Sequence, residues 1–217
     1  MNEVDRDALV ARYEERIAQY GRSPEALGWS RPELQQRRFA ALTTPILSSP
    51  SSSVLDVGCG FADLYDYLGA RRWTGSYTGV DIVPRLLASA RDRHRDIELR
   101  QLDFSAQHTL VAEHDFVVAS GIFNGRLQHE DHASYVESTV RAMFGRARVA
   151  VCVDFLSTWV NYQKPENWHA DPSDLLRLGR SLTRRVVLRH DYLPFELALY
   201  LFRDDRITEA STYEALA

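Results

Sequence analysis

A chain of 217 residues fits one domain with room for a small cap, and it is long enough to bury a sizeable core. Its 45% apolar and 26% charged residues are an ordinary globular balance that excludes a disordered or fibrous chain. A formal net charge of −4 gives no overall field drawing the protein to nucleic acid, although Arg37-Arg38 offers a local basic patch.

Cys59 and Cys152 are the only cysteines, each in or beside a predicted strand. Their spacing is not that of a metal site, and they read as buried free thiols. There is no long uncharged apolar run, and MNEVDRD is acidic rather than a signal peptide, so a soluble cytoplasmic protein is expected, with no membrane partner.

Along the chain, Asp7 to Tyr20 carries Leu9, Val10, Tyr13, Ile17 and Tyr20 at helical spacing, with Gly21 as a stop. Ser23-Pro24 and Ser30-Pro32 look like fresh helix starts, and Arg31 to Leu42 places Leu34, Phe39 and Leu42 among Arg37 and Arg38. Tyr13, Tyr20, Trp29 and Phe39 are expected to pack these helices onto a sheet. The polar SSPSSS of Ser48 to Ser53 divides a helical cap, residues 1–50, from the main domain, residues 51–217.

The stretch SVLDVGCGFADL, Ser53 to Leu64, organises the rest of the chain. Val54, Leu55 and Val57 form a strand-like run, Gly58, Gly60 and Ala62 come next at every second position, and a helix can start at Ala62. Dinucleotide folds, phosphate loops and plain tight turns all use such glycines. Tyr77 to Asp81 then reads as a second strand ending in an acid 25 positions after Asp56, where an α/β sheet can meet a ribose.

Pro84 begins a helix to His94; Ile97 to Gln101 is a third strand closed by Asp103-Phe104, and Asp115 to Ala119 a fourth. A helix from Asp131 to Phe144 leads to a fifth strand, Val149 to Val153. The alternation implies a parallel sheet with right-handed crossovers. Arg184 to Arg189 and Glu196 to Phe202 are separated only by His190 to Pro194, too short for a parallel crossover, and should pair antiparallel.

The pattern Asp56-x-Gly58-x-Gly60-x-Ala62, Asp81 and Asp103-Phe104 resembles the class I S-adenosylmethionine-dependent methyltransferases, over roughly Ser53 to Ser120. The antiparallel end of the sheet extends the likeness. The resemblance implies an α/β, Rossmann-like fold with a seven-stranded sheet, an antiparallel last strand and an N-terminal helical lid. It implies S-adenosylmethionine as cofactor, with Asp56, Gly58, Cys59 and Gly60 at its methionine end. Asp81 and Ile82 would lie at the ribose, Asp103 and Phe104 at adenine, and Ser120 and Gly121 under the sulfonium. In a closed site Tyr20 or Trp29 could cover that cation, and Arg38 could meet a carboxylate.

Three loops leave the carboxyl ends of the strands. Ser120 to Arg126 carries Phe123 and Asn124, and lacks the Asn-Pro-Pro-Tyr pattern of enzymes that act on flipped bases, so a small-molecule substrate is expected rather than nucleic acid. Asp154 to Pro172 is long and aromatic, with Phe155, Trp159, Asn161, Tyr162, Asn167, Trp168 and His169, as lids and binding loops are. His190-Asp191-Tyr192 is the third. In His129-Glu130-Asp131-His132, Asp131 suits a helix N-cap better than a metal site. His169 and His190 read as locally bonded loop histidines, and spacing identifies no general base.

Methyl transfer to oxygen or nitrogen of a small molecule in a biosynthetic pathway is the first expectation, since such a displacement mainly needs alignment and exclusion of water. Ring closure is the alternative. Asn124, Asn161 and Tyr162 would hold the cofactor's own α-amine behind its γ-carbon, releasing methylthioadenosine as in azetidine-2-carboxylate synthases. A further alternative is a non-catalytic cofactor-binding module. Oligomeric state is not readable from the sequence.

Overall fold

The computed structural model describes residues 1–29 and 31–205; the helix start expected at Ser30 lies outside the described residues. Helix α1 (Glu3–Tyr20) starts four residues before the expected Asp7, because Asn2 accepts a hydrogen bond from the Asp5 N–H and supplies the cap. It ends at Gly21, as expected. A 3₁₀ turn (Pro24–Leu27) precedes α2 (Pro32–Leu42) and the short α3 (Thr44–Leu47).

The main body then alternates: β1 (Val54–Val57), α4 (Asp63–Gly69), β2 (Tyr77–Asp81), α5 (Pro84–Arg93), β3 (Glu98–Gln101), α6 (Phe104–Gln107), β4 (His114–Ala119), α7 (His132–Arg146), β5 (Ala147–Leu156), α8 (Pro172–Leu182), β6 (Val186–Arg189) and β7 (Glu196–Phe202). The sheet order is β3-β2-β1-β4-β5-β7-β6. All neighbours from β3 to β5 are parallel, and β7 runs antiparallel to both β5 and β6, as the short hairpin spacer requires. The order reverses between β1 and β4, which is where a crevice opens in such sheets.

Alternate residues of the buried strands feed two cores. Leu55, Val57, Val117, Val151, Val153 and Leu199 face α7 through Val136, Val140 and Met143. Val54, Phe116, Val118, Ala150 and Cys152 face Phe39, Leu42, Leu64 and Leu68. Each such Leu or Phe contributes about 1.5–3 kcal/mol by leaving water. Segment 1–50 packs into the same body, since α2 joins the second core and Ile17 of α1 joins Ala26, Phe61, Val83 and Leu86.

Two expectations need correction. Strand β5 has ten residues and continues to Leu156, so Asp154 stands inside a strand and not at the head of a loop. The aromatic loop is correspondingly shorter and ends in helix α8, capped by Asp171, which accepts from the Ser173 N–H at 2.7 Å. Both cysteines are free and buried. Among the described residues no helix is long and apolar enough to cross a membrane.

Candidate active site

A cavity of about 370 Å³ lies over the carboxyl ends of β1 to β4, roofed by α1, α2 and the 3₁₀ turn. It reaches from Asp103 and Phe104 past Asp81 and the glycine turn to Ser120, Asn124 and Glu196.

The turn after β1 explains its glycines. Gly58 (φ 73°) and Gly60 (φ 55°) adopt left-handed backbone, and the Gly58 and Cys59 N–H groups both donate to the Val80 carbonyl, at 2.8 and 3.1 Å. A Cβ on Gly58 would stand 2.3 Å from Ile122 Cγ2. Gly58→Ala should therefore cost the ~1–2 kcal/mol of a left-handed alanine plus this clash. That lowers the melting temperature by roughly 5 °C, and an unchanged melting curve would refute the account.

Asp81 is buried at the end of β2 and accepts the Gly60 and Val83 N–H groups, each at 2.9 Å. Burial pushes its carboxyl up, and the Val83, Gly60 and Ile82 N–H groups oppose the rise without cancelling it. Each carboxylate oxygen keeps lone-pair capacity for a further donor, as a ribose diol requires. Asp56 is likewise buried and accepts the Tyr77 hydroxyl at 2.5 Å; burial raises its pKa to about 7. Asp103 caps α6, accepting from Ser105 N–H and Oγ at 3.0 and 2.6 Å, and Phe104 is buried behind it. Cys59 and Ile82 also line the cavity, and burial raises the Cys59 thiol well above its usual range, leaving it protonated.

At the other end, Ser120 Oγ donates to Asp154 at 2.7 Å and the Gly121 N–H donates to the same carboxylate at 2.6 Å. Arg38 is only 3% exposed, so it belongs to no surface basic patch. Its guanidinium lies over the Trp29 ring at 4.1 Å, 3.8 Å from Asp154, and donates to Glu196 Oε1. Arg38 Nε and Nη1, Asn124 Oδ1 and Glu196 Oε2 have no hydrogen-bond partner among the described residues. Free buried donors and acceptors lining one cavity suit a polar ligand.

Asp154 and Glu196 escape sequence reasoning. Each is an acid inside an apolar strand run, VAVCVDFL and ELALYLF, and that incongruity is the available signal.

Three expected site residues stand elsewhere. Tyr20 closes α1 at 43% exposure, with its ring 5.6 Å from Arg16, and Trp29 occupies the covering position instead. Asn161 and Tyr162 (71% exposed) lie exposed in the loop after β5 and do not line the cavity that Asn124 lines. That loop turns Trp168 inward, where its ring stacks on His132 at 4.7 Å and its backbone N–H donates to the Asn124 carbonyl at 2.9 Å. Asn124, Asn161 and Tyr162 therefore do not form one amine-holding cluster.

The histidine quartet also separates. Asp131 caps α7 by accepting from the Ser134 N–H at 2.9 Å; His132 is buried between the Leu127 N–H and the Phe123 carbonyl, with its pKa lowered by burial to about 4. Neither His169 nor His190 lines the cavity.

An open sheet with this strand order, a glycine turn after β1 and acids after β2 and β3 is the framework of the S-adenosylmethionine-dependent methyltransferases. Residues 54–144 match the family described as "Methyltransferase domain". The chain is 32% identical over 152 residues to Rv1506c of Mycobacterium tuberculosis, a protein named for the methyltransferases, covering 68% of this chain and 90% of that one. In fold it is similar to magnesium protoporphyrin IX methyltransferase of Synechocystis PCC 6803 with bound SAH (TM-score 0.68, 12% identity, 93% and 99% covered). It is also similar to DhpI in complex with SAH (TM-score 0.65, 15% identity, 92% and 97% covered). The chain belongs to the class I S-adenosylmethionine-dependent methyltransferases, and its cofactor is S-adenosylmethionine.

Proposed function

We propose that this protein is a soluble, cytoplasmic enzyme that methylates oxygen or nitrogen of a small biosynthetic intermediate. The observation that carries this reading is the continuity of the cavity from Asp103 and Phe104, past the cofactor-type residues, to Asn124 and Glu196. S-adenosylmethionine supplies an activated methyl carbon. The chain supplies the rest: Asp81 and Ile82 hold the ribose, Asp103 and Phe104 the adenine, and Asp56 through Gly60 the methionine end. Arg38 orients a carboxylate, and the cap of residues 1–50 keeps water out, so that alignment accelerates the displacement.

The test incubates purified protein with S-adenosylmethionine alone and then with separate pools of phenols, hydroxy acids and primary amines, following cofactor-derived products by mass spectrometry. S-adenosylhomocysteine formed together with a methylated pool member is the expected result. Methylthioadenosine with azetidine-2-carboxylate, formed without an acceptor, would overturn it in favour of ring closure. Tight cofactor binding with no turnover in any pool would favour a non-catalytic module.

A further inference from the structure

Glu196 opens β7 opposite Leu156, the last residue of β5, and its side chain is held by Arg38 through Oε1 alone. Its residue is 8% exposed, it lines the cavity, and Oε2 has no hydrogen-bond partner among the described residues. In the sheet β7 lies three strands from β1, on the order of 14 Å at about 4.8 Å per strand. A methionyl chain resting on the Gly58-Gly60 turn therefore ends near β4, and Glu196 belongs to the space beyond it.

We infer that Glu196 is the proton acceptor of the reaction, and that the substrate's nucleophile is an oxygen or nitrogen that enters carrying a proton, as O–H or N–H. The inference rests on the methyl-transfer reading above. As the nucleophile's lone pair bonds to the methyl carbon, the electrons of the breaking C–S bond stay on sulfur, and the proton of the nucleophile passes to Glu196 Oε2 and then to water.

The surroundings suit this role. The groups facing Glu196 are Arg38 from α2, Asp154 from β5 and Tyr192 from the hairpin turn. Burial raises the Glu196 carboxyl, Arg38 opposes the rise and Asp154 adds to it, with the result at about 7. A carboxylate poised there can both take and release a proton near neutrality. A sulfonium near β4, two strands or about 10 Å from Glu196 at about 4.8 Å per strand, would lower that value by roughly one unit. Cofactor loading would thus ionise the base, and the neutral thioether product would let it hold the received proton until that proton passes to water.

The test requires no acceptor. Full-length protein labelled with [δ-13C]glutamate is titrated by NMR with no addition, with S-adenosylmethionine and with S-adenosylhomocysteine. Binding of each is verified by calorimetry. The Glu196 resonance is assigned by its loss in Glu196→Gln, or by through-bond correlation to its backbone should that variant not fold. The expected midpoint lies near 7 in the free protein, falls by about one unit or more with S-adenosylmethionine, and stays in place with S-adenosylhomocysteine. A midpoint below about 5 in every state, or an equal response to both molecules, overturns the inference, because a purely structural partner of Arg38 would stay ionised throughout. Failure of both molecules to bind would overturn the cofactor site itself, and is distinguished by the calorimetry.

Discussion

Asp81→Asn should weaken S-adenosylmethionine binding about a hundredfold while leaving the fold intact. Both oxygens of Asp81 already accept backbone N–H groups, from Gly60 and Val83, so the carboxylate shapes the glycine turn as well as, on the proposed reading, offering lone pairs to the ribose. Asparagine has one oxygen, and its NH₂ must confront either a backbone donor or a ribose hydroxyl. Hydrogen bonds to a charged group contribute about 1.5–3 kcal/mol each. Losing one to two of them is roughly 2–4 kcal/mol, or about 30- to 1000-fold in affinity. Calorimetry at pH 7.5 reads the difference, and a dissociation constant within about threefold of wild type would show that Asp81 serves the turn alone. Because burial raises the Asp81 pKa, wild-type affinity should itself decline as acid protonates this group.

The cofactor side of the cavity is legible because its residues are local in sequence. A strand, a glycine turn and the acid ending the next strand are adjacent segments of one βαβ unit, and their spacing carries the geometry. The Asn124–Glu196 end is not. Asp154 and Glu196 come together with Arg38 only through the antiparallel pairing of Asp154 with Ala198 and Leu156 with Glu196, and through the docking of α2 on β5. No spacing rule announces such contacts.

Loop composition misleads in the other direction. Tyr162 and Trp168 are both aromatic residues of one loop, yet only Trp168 finds a stacking partner inside. Helix α8 is hard to see in the sequence because Gly179 interrupts its pattern. That glycine is needed for contact, since a Cβ there would stand 2.8 Å from Val186 Cγ1.

The stability of the Asp154–Glu196 end of the cavity rests on Arg38. Arg38→Met preserves most of the apolar stem over Trp29 and removes the charge that lies against Asp154 and Glu196. Breaking a buried pair from one side typically costs about 3–5 kcal/mol, which for a chain of this size corresponds to roughly 6–20 °C in melting temperature. The loss should depend on pH in a defined sense. In the wild type burial already lifts Glu196 from its usual 4.5 to about 7. Its contribution is thus fully present below pH 4.5 and is lost as pH rises through 7. Without the guanidinium both acids shift further upward, and the window in which folding requires uptake of a proton extends above about pH 7. The deficit of Arg38→Met should therefore be modest at about pH 5.5, where protonation relieves the unpaired charge, and largest near pH 8. Adding Glu196→Gln to the variant should recover part of it near pH 8 and little near pH 5.5. Thermal melts of the three proteins at the two pH values decide the matter: a deficit that is the same at both would mean that Arg38 stabilises the site by packing on Trp29 and not by neutralising the acids beneath it.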